Sequence, residues 1–176
     1  MSRTNPYKKK RRYANKTLLV FGEGLGEEIF LKHLRKIYSF NSGVAVTIKK
    51  GRGGNAQNIV IDASKIIGAF DRKIVVLDND KPKIEMIKAR QEAKKRKIEL
   101  IENTPCLEFL LISIINKKPR GKNSLWCKQK FESEYLSKKK RIELNEYNRL
   151  FPEKLLDSKR LNIPDLGKFI SIMEGK

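Results

Sequence analysis

Acidic side chains stand where this chain's apolar runs end. Glu23 follows Leu18-Leu19-Val20-Phe21 after one glycine, and Asp78-Asn79-Asp80 directly follows Ile74-Val75-Val76-Leu77. Side chains alternate along an extended strand, so Asp78 and Asp80 project to one side and Asn79 to the other. Two carboxylates held together repel, and one takes up a proton unless a cation joins them. A few hard oxygen donors with open coordination positions favour Mg²⁺ or Mn²⁺ over zinc and suit an ion that also holds phosphate. Asp80 has an alternative as a helix cap, because Lys81-Pro82 follows and proline favours a first helical turn. Glu23, set between Gly22 and Gly24, has neither a helix to cap nor an apolar face to serve.

Glu108 is the second anomaly, since its helical neighbours Leu111, Ile112 and Ile115 are all apolar. Burying a carboxylate there is costly unless a cation or hydrogen bonds compensate. Metal ligation, direct or through water, is the expectation. The alternative makes Thr104 a helix cap with Pro105 at the first helical position, leaving Glu108 in the opening turn with modest support from the helix dipole. Gly51-Arg52-Gly53-Gly54 has the makings of an anion nest with Arg52 as clamp, yet lacks the lysine and hydroxyl of a P-loop; an ordinary glycine turn is the alternative. Gly22-Glu23-Gly24-Leu25-Gly26 has the wrong spacing for a dinucleotide fingerprint and sets a carboxylate where a pyrophosphate would lie. His33, the sole histidine, has no paired Ser or Cys and reads as a polar surface or half-buried residue. Cys106 and Cys127 are too few and too separated for a zinc cluster or disulfide framework, which points to a reducing compartment.

The elements that must position these acids read as an α/β domain with a mainly parallel sheet flanked by helices. Strands are expected at Thr17–Phe21, Val44–Lys49, Lys73–Leu77 and Ile98–Ile101. Helices are expected at Glu27–Tyr38, Asn55–Phe70, Lys83–Arg96 and Cys106–Asn116. Ile29, Phe30, Leu34 and Ile37 form one core stripe, and Ile59, Val60, Ala63, Ile66 and Ile67 another. Residues 1–16 read as a basic flexible tail, 17–116 as the α/β domain, and 117–176 as a basic, mostly helical extension packed on it.

The 176 residues carry 40 Lys and Arg against 20 acids, a formal charge of +20. The tail cations Arg3, Lys8, Lys9, Lys10, Arg11 and Arg12 supply only a minor part, so the folded body is itself basic. Such a surface attracts polyanions by releasing their counterions, and RNA or DNA is the commonest inside cells. Residues 117–141 hold ten Lys or Arg against two Glu, with Trp126, Phe131 and Tyr135 interleaved. Lys128, Lys130, Lys138, Lys139, Lys140 and Arg141, with Arg11, Arg12 and Arg52, are the candidate nucleic-acid contacts. The three aromatics read equally as platforms for unpaired bases and as the packed face of an amphipathic helix. No stretch approaches the ~20 apolar residues of a membrane span, and a cytoplasmic protein is the expectation.

Taken together, Glu23 after the first strand and Asp78-Asn79-Asp80 after a later one resemble the Toprim domain, the metal-binding fold of topoisomerases, primases, small ribonucleases and OLD-type nucleases. Glu23-Gly24-x-x-Glu27-Glu28-Ile29-Phe30, the turn at Gly53-Gly54 and Asn103-Thr104-Pro105-Cys106-Leu107-Glu108-Phe109 are similar to the RloB-like branch. The resemblance covers about residues 17–116. It implies proton transfer by Glu23, Mg²⁺ (or Mn²⁺) binding by Asp78 and Asp80, the second motif glutamate at Glu28, and the motif acid at Glu108. Asn79 and Glu27 depart from the branch's pattern, and the Glu27-Glu28 pair leaves open which side chain faces the site. The resemblance also implies antiviral defence and an ATPase partner. The expected activity is metal-dependent hydrolysis of phosphodiester bonds in RNA or DNA. The alternatives are a non-catalytic nucleic-acid-binding subunit and Toprim-type nucleotidyl or strand transfer.

Overall fold

The computed structural model describes residues 15–40, 42–115, 119 and 122–176. The tail cations, Arg11 and Arg12 among them, lie outside the described residues. Four strands and four helices alternate: β1 (Lys16–Gly22), α1 (Leu25–Tyr38), β2 (Val44–Lys50), α2 (Ala56–Lys65), β3 (Arg72–Asp78), α3 (Lys83–Lys95), β4 (Glu99–Asn103) and α4 (Leu107–Ile115). Four further helices follow: α5 (Ser124–Glu134), α6 (Leu144–Leu150), α7 (Glu153–Lys159) and α8 (Pro164–Met173), with a 3₁₀ turn at Lys140–Ile142 between α5 and α6. The strands pair in the order β2-β1-β3-β4, every pair parallel. This is the α/β architecture expected from the alternating apolar runs.

Parallel strands covered on both faces must be apolar on both, and the two central strands are. Leu18 and Val20 of β1 and Ile74 and Val76 of β3 face a core shared with α1, α4 and the helices after α4. Phe21, Val75 and Leu77 face the opposite core, built with Ala56, Ile59, Val60 and Ala63 of α2 and Met86, Ala89 and Ala93 of α3. The carboxy-terminal helices are thus part of the main core: Phe131, Tyr147, Phe151, Phe169 and Ile170 are all fully buried.

Helix α2 stops five residues before the expected Phe70. Ile66 turns extended, and the Lys73 ammonium donates to the Ser64 and Ile66 carbonyls at 3.1 and 3.2 Å, satisfying acceptors that a longer helix would have used. Ile67 is therefore not a core residue; it is 98% exposed. His33 is fully buried instead of superficial. Its Nε2 lies 2.8 Å from the Phe151 carbonyl and its Nδ1 3.2 Å from the Asn148 amide, and burial holds its basicity below the ordinary value. It joins α1 to α6 as a neutral ring.

Candidate metal centre

In a parallel sheet, ligands collect beyond the carboxyl ends of the strands, where the strand order reverses. Here the chain leaves β1 toward β2 on one side and returns to β3 on the other, so the reversal lies between β1 and β3. Glu23 follows β1, and Asp78 is the last residue of β3. The Asp78 N–H donates to Glu23 Oε2 at 3.3 Å, tying the two strand ends together.

The alternation that points Ile74 and Val76 into the larger core points Asp78 the same way. Asp78 is 5% exposed, and its Oδ1 accepts from the Leu107 N–H at 2.9 Å and from Asn103 Nδ2 at 3.4 Å. The first backbone N–H of α4 is thus satisfied by a carboxylate from another strand, and Thr104 is not the cap. Asn79 turns away, its Nδ2 3.3 Å from Thr104 Oγ1. Asp80 does not cap α3, which starts behind Pro82; its Oδ2 accepts from Ser124 Oγ at 2.5 Å and Lys128 Nζ at 2.7 Å. The same ammonium lies 3.4 Å from Asp78 Oδ2, so the two aspartates do face one another across a cation.

Glu108 sits in the opening turn of α4 and is buried. Its Oε1 pairs with Arg141 Nη2 at 2.5 Å, while its Oε2 is buried with no hydrogen-bond partner. Asn103 Oδ1, beside Asp78, is likewise buried and without a partner. Oxygen atoms rarely stay so in a folded interior without a donor or a cation. Donor atoms of Asp78, Cys106 and Glu108 all lie within 4.8 Å of one another. Burial first, then the nearby Glu108 charge, pushes the Cys106 thiol up to about 12, so it remains a neutral thiol among the carboxylates.

Between the two adjacent glutamates, the tertiary structure chooses. Glu28 pairs with Lys32 at 2.8 Å along α1. Glu27 folds back so that its Oε2 accepts from the Gly24 N–H at 2.9 Å, and its charge acts on Asp78. Burial, followed by the charges of Glu108 and Glu23, raises Glu27 above the usual carboxylate range despite help from backbone hydrogen bonds. Asp78 is raised too, to about 7, by burial and then by Glu27 and Glu108, against the opposing pull of Lys128. For Asp80 burial also pushes upward, but the Lys128 and Ser124 hydrogen bonds and the charges of Lys128 and Lys81 together hold it low.

Glu23 has its own counterion: Lys81 Nζ lies 2.9 Å from Glu23 Oε1 and donates to the Gly54 carbonyl at 2.8 Å. The glycine loop is stitched to the same place, Gly51 N–H to the Gly22 carbonyl at 2.9 Å and Gly53 N–H to the Glu23 carbonyl at 3.2 Å. The anion-nest expectation finds its helix donors already engaged, Ala56 N–H by Glu85 Oε1 and Gln57 N–H by Asn55 Oδ1. Arg52 itself is exposed.

Of the expected nucleic-acid cations, Lys128 and Arg141 point into the acidic centre. Lys130 pairs with Glu134, Lys138 lies 3.8 Å from Glu132, Lys140 lies 3.9 Å from Glu146, and Lys139 is exposed. Phe131 is fully buried and stacks on half-buried Tyr135, so Phe131 is a packing residue and not a base platform. Trp126 stays half-exposed, with the Lys122 and Lys130 ammonium groups 4.9 and 5.3 Å from its ring centroid. Lys81 and Ser124 also belong to the centre, and no local pattern in the sequence marks them. No helix among the described residues is long and apolar enough to cross a membrane. No family model, curated protein or solved structure matches the chain.

Proposed function

We propose that this chain is a metal-dependent nuclease acting on RNA or DNA, with a Toprim-like centre built from Asp78, Asp80, Glu108 and Glu27. The observation that carries this reading is the pair of buried carboxylates, Asp78 and Glu108, at the sheet's reversal point, with Glu108 Oε2 unpartnered, inside a chain of charge +20. Hard oxygen donors fit Mg²⁺ or Mn²⁺ better than zinc. Such an ion, when bound, supplies an activated water and stabilises charge on a phosphate.

The chain's own residues do the rest. Asp78 and Asp80 present oxygens from one side of the β3 end, and Glu108 and Glu27 present theirs from the first turns of α4 and α1. Lys81 and the Asp78 N–H hold the two oxygens of Glu23 in place, which suits a group that receives or returns a proton at a fixed point. Trp126, with Lys122 and Lys130, supplies a surface where an unpaired base can stack beside phosphate-attracting cations.

A second reading is a nucleic-acid-binding subunit that does not cleave. It is favoured by the internal pairing of the acids: Lys81, Lys128 and Arg141 already balance much of their charge. Cleavage of a panel of RNA and DNA with Mg²⁺ or Mn²⁺ separates the two. Parent protein should cleave, while Asp78→Asn, Asp80→Asn, Glu27→Gln and Glu23→Gln should not, with nucleic-acid binding retained in all four. Glu23→Gln should also keep metal binding. Variants that cleave at the parental rate would remove this centre from the reaction, and a parent inert on every substrate would favour the binding subunit.

A further inference from the structure

Lys128 reaches the acidic centre from α5, a helix separate from β3 and the turn after it, which carry Asp78 and Asp80. Its ammonium lies 2.7 Å from Asp80 Oδ2 and 3.4 Å from Asp78 Oδ2, the region between the two aspartates where a divalent ion bridging them would lie. Ser124, one turn earlier on α5, donates to the same Asp80 oxygen. An ammonium and a divalent ion cannot both occupy that space, because each needs the same oxygens and they repel.

Resting on the nuclease reading above, we infer that Lys128 is a built-in counterion of the Asp78–Asp80 pair, and that a divalent cation enters by displacing it. Without metal, the ammonium prevents two aspartates from facing each other uncompensated. Once displaced, it remains at the rim of the site on a helix that also carries Lys130 and Trp126. There a phosphodiester of the bound strand replaces the lost carboxylates as its partner. Metal loading and polyanion binding thereby favour one another, as linked equilibria must. Lys128 is in this sense a positioning residue, with its effect on metal affinity opposite in sign to that of a ligand.

The test is Mn²⁺ binding to the full chain, measured by titration calorimetry at pH 8 without nucleic acid. Lys128→Gln and Lys128→Met, the second keeping the apolar stem, should each bind Mn²⁺ about tenfold more tightly than the parent, a change of ~1.4 kcal/mol. Lys128→Arg, which keeps the charge, should stay close to the parent. Melting curves supply an independent readout: Mn²⁺ should raise the melting temperature of the Gln and Met variants more than that of the parent. Parental binding with equal or weaker affinity in both neutral variants would overturn the exchange while leaving the metal centre standing. Absence of Mn²⁺ binding in parent and variants alike would overturn both.

Discussion

Breaking the Glu108–Arg141 pair should expose how the centre is held in its metal-free form. Glu108 is buried to 5% side-chain exposure, its Oε1 bonded to Arg141 and its Oε2 to nothing, while Arg141 is 23% exposed. Removing one partner of a buried ion pair typically costs about 3–5 kcal/mol, because the other charge is stranded. The guanidinium here retains some water, which screens the pair and sets the expected loss for Arg141→Met at about 2–3 kcal/mol. For a chain of this size that is roughly 5–10 °C in melting temperature. The double variant Glu108→Leu/Arg141→Met replaces both charges by apolar groups among Leu107, Leu111 and Ile112, and should lie within about 1 kcal/mol of the parent. Urea unfolding followed by circular dichroism, in chelator, measures all members of the cycle. The coupling should be at least about 1.5 kcal/mol. Adding Mn²⁺ should restore part of the loss in Arg141→Met, where Glu108 remains to bind it, but much less in the double variant. If Arg141→Met unfolds with the parent, or the double variant is as weak as the single one, the stranded-charge argument fails.

Three other outcomes follow from the same geometry. Asp78 titrates near 7 when folded against 3.8 ordinarily, so the folded state keeps a proton that the unfolded chain releases. The metal-free protein should therefore lose stability as pH rises from about 4 through about 7 and level off above, at up to ~1 kcal/mol per pH unit; Asp78→Asn, which keeps the acceptor for Leu107, should flatten that slope in pH-dependent urea melts. A Cβ at position 22 would lie 2.7 Å from Glu27 Cβ, whereas one at position 26 meets nothing closer than 3.6 Å. Gly22→Ala should cost about 1–3 kcal/mol and weaken Mn²⁺ binding, and Gly26→Ala should do neither. Nucleic-acid affinity, measured by fluorescence anisotropy, should fall with salt by about 0.7 to 0.9 log units per log unit for each phosphate contacted; deleting residues 1–12 should remove only part of that slope, and a salt-independent affinity would count against the basic body as the binding surface.

The sequence alone was enough for the alternation of strands and helices, because both periods are local: side chains two apart share a strand face, and those three or four apart share a helix face. It also located Glu23, Asp78, Asp80 and Glu108, since a carboxylate at the end of an apolar run or amid aliphatic neighbours is conspicuous without any coordinates. It misjudged the end of α2, where Lys73 from the next strand satisfies the helix's carbonyls. It left Glu27 and Glu28 undecided; the helix carries one toward Asp78 and leaves the other to Lys32, which depends on how α1 is rotated against the sheet. Lys128 and Arg141 read as candidate nucleic-acid contacts in a basic stretch. Only the burial of Phe131 and Tyr147 in the main core brings their region against the strand ends and turns both cations onto acids far earlier in the chain. Local spacing decides which residue types a strand or helix displays, but the choice of partner for a charge is made by long-range packing, where the desolvation of one group depends on the arrival of another.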